Sequence, residues 1–120
     1  MKRKKGRNKL LRGSIMKTLS EIKNQTKQEA LSILSAFVKE YGREDFGADK
    51  RSLEWLFNKA GEKADFQEPY AVEDDFKLYE VEVEYFGNFD GKNGHPAYIT
   101  VYVADYLNED TGDCQTYYAL

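Results

Sequence analysis

Cysteine and histidine are almost missing from this chain of 120 residues: Cys114 and His95 are the single examples of each. One thiol cannot close an internal disulfide, and one His with one Cys cannot furnish a structural zinc site. Long apolar runs are missing too. No stretch approaches the ~20 residues that span a bilayer, and no apolar segment follows the basic N-terminus as it would in a secretory signal. A lone thiol without a signal points to a soluble protein of the reducing cytoplasm, with no membrane role. The length allows one domain and excludes a TIM barrel or a full dinucleotide-binding fold.

What is present is charge and aromatic surface. Charged residues make up 32% of the chain and aromatics 14%, and the net charge is −3. That mean conceals three unlike segments. Residues 1–12 hold Lys2, Arg3, Lys4, Lys5, Arg7, Lys9 and Arg12 and no acid, giving +7; residues 13–61 carry +1; residues 62–120 carry −11. A basic arm on an acidic body is a pattern of nucleic-acid contact. A second account competes with it. Arg12-Gly13 can be encoded by AGAGGN, a ribosome-binding sequence placed just upstream of a Met16 start. Residues 1–15 are therefore expected to be a disordered basic tail or an over-extended start, with residues 16–120 as the single domain.

Thr18-Leu-Ser-Glu21 has the form of a capping box. Leu19, Ile22, Thr26, Ala30, Ile33, Leu34, Phe37, Val38 and Tyr41 follow at spacings of three and four, which predicts one helix over 19–41 ended by Gly42. Asp49 can cap a second helix that buries Leu53, Leu56, Phe57 and Ala60 and stops at Gly61, with Trp55 off the stripe. From Phe76 the period becomes two. Tyr79, Val81, Val83 and Tyr85 face one way and Glu80, Glu82 and Glu84 the other, the pattern of a half-buried strand. Residues 98–104 are apolar on both faces and read as a central strand, and Gln115 to Ala119 as a third. Segment 62–75 reads as irregular, although Tyr70-Ala-Val72 could pair on an edge. The expected fold is α+β: two N-terminal helices on one face of a three-stranded antiparallel meander, in the order α-α-β-β-β.

Candidate catalytic groups dissolve on inspection. Asp110-Thr111-Gly112 matches the aspartic-protease triplet, but it stands between Glu109 and Asp113, and no second copy exists to share a proton. His95 lies in a turn-rich loop with no partner placed by spacing. The run from Gly87 to Gly94 lacks the G-x-x-x-x-G-K-[ST] order. The acids from Asp105 to Asp113 do not fit an EF-hand. Asn24-Gln-Thr26, a glycosylation pattern, falls inside a helix. The expectation is a protein with no enzymatic activity, no metal and no cofactor.

The acidic cluster is what remains. Glu73, Asp74 and Asp75 precede the strand that carries Glu80, Glu82 and Glu84 on one side. Same-face strand residues repeat at roughly 6.7 Å, while a DNA strand advances ~3.4 Å per phosphate. Every strand shares that repeat, so the match permits mimicry without proving it. The choice of glutamate, a poor strand former, is the informative part. Such a face repels itself unless it solubilises the protein or meets a basic partner. A solvated face is the plainer reading. Tyr106 and Tyr117, with Glu109 and Asp110, would add rigid contact area beside the carboxylates.

This surface resembles that of small acidic inhibitors carried by phages and mobile elements, the anti-CRISPR and anti-restriction proteins; bacterial immunity proteins look similar. The resemblance rests on Glu73-Asp-Asp75, the Glu80/Glu82/Glu84 ladder and Asn108-Glu-Asp110, and no diagnostic motif accompanies it. It implies a protein-binding inhibitor that occludes the basic nucleic-acid-binding surface of a CRISPR or restriction nuclease. The basic arm departs from that pattern and supplies the alternative, direct DNA or RNA binding through Lys2 to Arg12. That alternative predicts nucleic-acid retention that falls steeply with salt; retention unchanged on deleting residues 1–15 would dismiss it.

Overall fold

The computed structural model describes residues 16–41, 47–86 and 96–120. The basic arm, Gly42, Asp90 and His95 lie outside them.

Thr18 opens the first helix as expected. Its hydroxyl accepts from the Glu21 amide at 3.2 Å, and the Glu21 carboxylate accepts from the Thr18 amide at 2.8 Å. A second box follows at once, between Thr26 and Glu29, at 3.1 and 2.8 Å. The single helix expected over 19–41 is therefore two: α1 (Leu19–Asn24) and α2 (Lys27–Glu40). Gln25 between them is extended, at φ −66° and ψ 128°. Its side-chain amide donates to the Leu120 carbonyl at 2.8 Å and accepts from the Leu120 amide at 2.9 Å. The two capping bonds satisfy the Thr26 and Glu29 amides, which a continuous helix would have satisfied internally, and the Gln25 pair ties the break to the C-terminus.

α3 (Lys50–Ala64) starts at the expected Asp49, which shares reciprocal bonds of 2.9 Å with Ser52. Leu53, Leu56, Ala60 and Ala64 are buried, and Phe57 is half-buried. Gly61 does not end this helix. A Cβ there would stand 2.7 Å from the Tyr118 hydroxyl, and Tyr118 is itself stacked on Phe57 at 5.1 Å. The glycine serves close approach of helix to sheet rather than termination.

The sheet has four antiparallel strands, not three, in the order β1-β2-β3-β4: β1 (Ala71–Val72), β2 (Phe76–Phe86), β3 (Ala97–Asn108) and β4 (Asp113–Ala119). The edge pairing open to Tyr70–Val72 occurs, with Ala71 opposite Leu78. β3 runs on to Asn108, beyond the expected 98–104, so the turn to β4 shortens to 109–112, with Gly112 at φ +78°. Glu80 lies opposite Tyr102, Glu82 opposite Thr100 and Glu84 opposite Tyr98. Between Glu84 and Phe86 the register shifts, so that Tyr85 and Phe86 are both buried. A bulge of this kind turns two successive side chains to one side.

The helices do not share one face. Leu34, Val38, Leu53 and Leu56 pack with Val81, Val83, Val101 and Val103 on one side. On the other, Ile22 of α1 packs with Leu78, Tyr102, Ala104 and Ala119. The chain thus passes around the β4 edge at Gln25. Helices on both sides explain why β3 is apolar on both faces. Ile33, on the expected stripe, is 42% exposed, because the stripe serves two short helices facing different neighbours. Trp55 is 47% exposed, 6.0 Å from the Tyr85 ring.

Substituting Gly61→Ala is expected to lower stability by about 1–2 kcal/mol, since the added methyl displaces a packed ring. In a Tyr118→Phe background the same change should be neutral or stabilising by up to ~1 kcal/mol, the helix preference for alanine. Urea unfolding of the four chains in this cycle measures the coupling.

Candidate functional site

The strand alternation positions the ladder. Val81 and Val83 point into the core, so Glu80, Glu82 and Glu84 must point away. Glu82 and Glu84 are exposed and Glu80 is half-buried. Tyrosines across the strand pair hold two of them: the Tyr102 hydroxyl donates to Glu80 Oε2 at 3.2 Å, and the Tyr98 hydroxyl to Glu84 Oε1 at 3.3 Å. Thr100 stands opposite Glu82. Among the described residues, no lysine or arginine forms a salt bridge with any of the three. Tyr98 is 48% exposed, and the neighbouring Glu84 carboxylate holds its phenol above the usual tyrosine range, since a phenolate there would face a like charge. β4 reaches only as far as Tyr102, so this part of the face extends past the strand that α1 packs against.

α1 bounds the ladder on its other side. Lys17 Nζ sits 5.6 Å above the Tyr102 ring, and the Tyr70 hydroxyl donates to the Lys17 carbonyl. Burial pushes the Tyr70 phenol well above its ordinary range. Lys23 Nζ lies 4.7 Å from the Tyr106 ring centre and 5.5 Å from that of Tyr117. These two tyrosines, expected as contact area for a partner, are half-buried beneath a lysine of their own chain. Neither Lys17 nor Lys23 stood out in the sequence as a ring partner, because the register that brings them over the tyrosines is tertiary.

The remaining acids gather elsewhere. Glu73, Asp74 and Asp75 form the β1–β2 turn, closed by the Glu73 amide on the Phe76 carbonyl at 2.8 Å. The Asp75 carbonyl accepts from the Leu107 amide at 2.8 Å, which ties the turn to the far end of β3. Glu109 and Asp110 lie on the adjacent turn, where the Asn108 carboxamide oxygen accepts from the Asp110 amide at 3.0 Å. A shallow groove of about 340 Å³ opens beside them, lined by Asp75, Lys77, Tyr79, Asp105, Leu107 and Cys114 among others. From Asp75 to Glu84 is nine residues of strand, about 30 Å. The expected acidic site is thus two sites, with α1 between them.

The Asp110-Thr111-Gly112 triplet is an exposed turn, and its geometry is that of local capping, with the Gly112 amide on the Asn108 carbonyl at 2.7 Å. Among the described residues, no three His, Cys, Asp or Glu side chains converge as metal ligands, and no helix is long and apolar enough to cross a membrane. Compared with known proteins, the chain matches no family model, no curated protein and no solved structure. Fold and surface together define an α+β protein with one sheet face that α1 covers in part and that bears three carboxylates in a row beside it.

Replacing Glu84 by Gln should lower the Tyr98 pKa toward that of a free tyrosine, because both the adjacent charge and its hydrogen bond are changed. A pH titration of the Tyr98 ring signals by NMR reads the shift; an unchanged midpoint would mean that Tyr98 and Glu84 do not interact in solution.

Proposed function

We propose that this protein is a non-enzymatic binding protein whose glutamate ladder docks on a basic, nucleic-acid-binding surface of a partner protein. The ladder itself carries the reading: three carboxylates at the strand repeat stand on an open sheet face with no cation paired to them among the described residues. Three adjacent glutamates without neutralisation are costly to a strand that needs only solubility, and they are repaid when a basic surface meets them. Tyr98 and Thr100 lie across from Glu84 and Glu82, so the carboxylates border contact area that a partner can bury.

The strand gives rigidity. Its carboxylates are held by a backbone whose opposite face is core, so little ordering is lost on docking. Complementary charge would speed encounter, and Tyr98, 48% exposed in the free protein, would slow dissociation once a partner buries it. The partner class that fits is a nuclease of a CRISPR or restriction system, whose nucleic-acid groove is basic; occluding that groove makes the protein an inhibitor of the mobile-element type. The Glu73–Asp75 turn with Glu109 and Asp110 forms a separate contact that a large partner would reach beyond α1.

Reversing Glu80, Glu82 and Glu84 to Lys is expected to abolish binding and inhibition. Reversal of Glu73, Asp74 and Asp75 should weaken both independently, since sites this far apart act additively. A partner is first captured from host lysate and identified by mass spectrometry; its nucleic-acid binding is then measured with each variant, after circular dichroism has established folding. A folded ladder variant that binds and inhibits normally would overturn the reading.

A further inference from the structure

β4 is an edge strand, and its outer side is bare. The Asp75 carbonyl accepts from the Leu107 amide, so the odd positions of β3 bond toward β2 and the even ones toward β4. With Asn108 opposite Asp113 and Tyr102 opposite Ala119, the odd residues of β4 turn their backbone groups inward. Cys114, Thr116, Tyr118 and Leu120 turn theirs outward. Gln25 caps those of Leu120. Among the described residues, nothing bonds the outward amides and carbonyls of Cys114, Thr116 and Tyr118.

This edge carries none of the usual guards against pairing. From Cys114 to Ala119 there is no charge and no proline, and the register with β3 runs without a bulge. Residues 113–116 are exposed. The opposite edge is guarded. β1 covers its first part, and Gln67 donates to the Glu80 carbonyl at 2.8 Å. The next outward positions there are Glu82 and Glu84, whose charges would oppose each other between paired copies.

We infer that two copies of this chain join antiparallel along β4, with the two-fold axis at Thr116, into one eight-stranded sheet. Thr116 then pairs with Thr116 of the second copy, and Cys114 with Tyr118, which uses every open group. Length agrees. Gln25 closes one end of the open stretch, and at the other Gly112, at φ +78°, turns the chain back toward β3. Charge agrees as well. Asp113 falls opposite Ala119 of the second copy, on the face that α1 covers and next to Tyr117, where Lys23 lies 5.5 Å from the ring centre. Neither Lys23 nor Asp113 forms a salt bridge within its own chain among the described residues; across the axis the Lys23 of each copy meets the Asp113 of the other. Paired residues share a face, so both glutamate ladders stand on one side of the joint sheet. The pairing uses no ladder residue and needs no other protein, so it stands or falls apart from the proposed function.

Sedimentation equilibrium of the full chain over a wide range of concentration is expected to show a monomer and a dimer in exchange. Thr116→Lys sets two ammonium groups against each other at the axis and should weaken the dimer by roughly tenfold, with circular dichroism unchanged. Oxidation reads the register and does not depend on that variant. In the Cys114→Ser/Thr116→Cys chain the two thiol-bearing Cα atoms lie about 5.5 Å apart, within disulfide reach, so an interchain disulfide should form. The natural Cys114, though exposed, stands about 14 Å from its counterpart and should stay unlinked under the same conditions. A monomer at every concentration, a dimer untouched by Thr116→Lys, or linkage through Cys114 as ready as in the double variant would overturn the inference.

Discussion

The pairing of β3 with β2 is the constraint on which the remainder rests. β3 is an inner strand, and Val101, Tyr102, Val103 and Ala104 are buried in succession, alternately against the two opposite faces. Side-chain direction alternates with a strict period of two, so a slip by one residue would exchange the faces of a strand. For β2 the exchange would drive Glu80, Glu82 and Glu84 into the core made by α2 and α3. Carboxylates without partners cannot be left there at tolerable cost. The same register that keeps the core apolar therefore places the glutamates in a row on the outside, and the interaction face follows from the packing.

α1 shows how a short element is held on such a sheet. Six residues are too few to be helical on their own. Ile22 supplies the anchor, being 1% exposed, and burying an isoleucine contributes roughly 1.5–3 kcal/mol. The lysines above tyrosine rings add about 0.5–1 kcal/mol each at such exposure. Gln25 completes the attachment by using one side-chain amide as if it were another residue of backbone, pairing with both groups of Leu120. Electrostatics is consistent with this placement. α1 and the residues that lead into it bring Lys23 and Lys17 onto a face whose two ends are acidic, and the helix separates those ends by more than the ~10 Å over which exposed charges interact at 0.1 M salt.

Much of this was legible in the sequence. The period of two from Phe76, the cap at Asp49 and the capping box at Thr18 are local features, and each has its structural counterpart where the pattern puts it. Thr26-x-x-Glu29 was legible as well, a second capping box inside an apolar stripe that otherwise reads as continuous. Gly61 had the form of a helix stop, yet its reason lies in Tyr118, a residue on another element. Tyr106 and Tyr117 had the composition of contact surface, and the fold sets Lys23 over both rings. At Gly61 the local pattern was compatible with two answers, and a contact distant in sequence selected between them.

The sequence by itself determined the segregation of charge, the helix starts and the side of β2 on which the glutamates stand, because caps and alternation act between residues a few positions apart. Only the tertiary structure decided which face α1 covers. An apolar stripe says that a helix must be buried, and both faces of this sheet offer an apolar patch. The choice was made by Gln25 meeting Leu120, 95 positions away, which carries the chain around the β4 edge. That crossing divides the acidic surface in two and leaves the ladder as the open part.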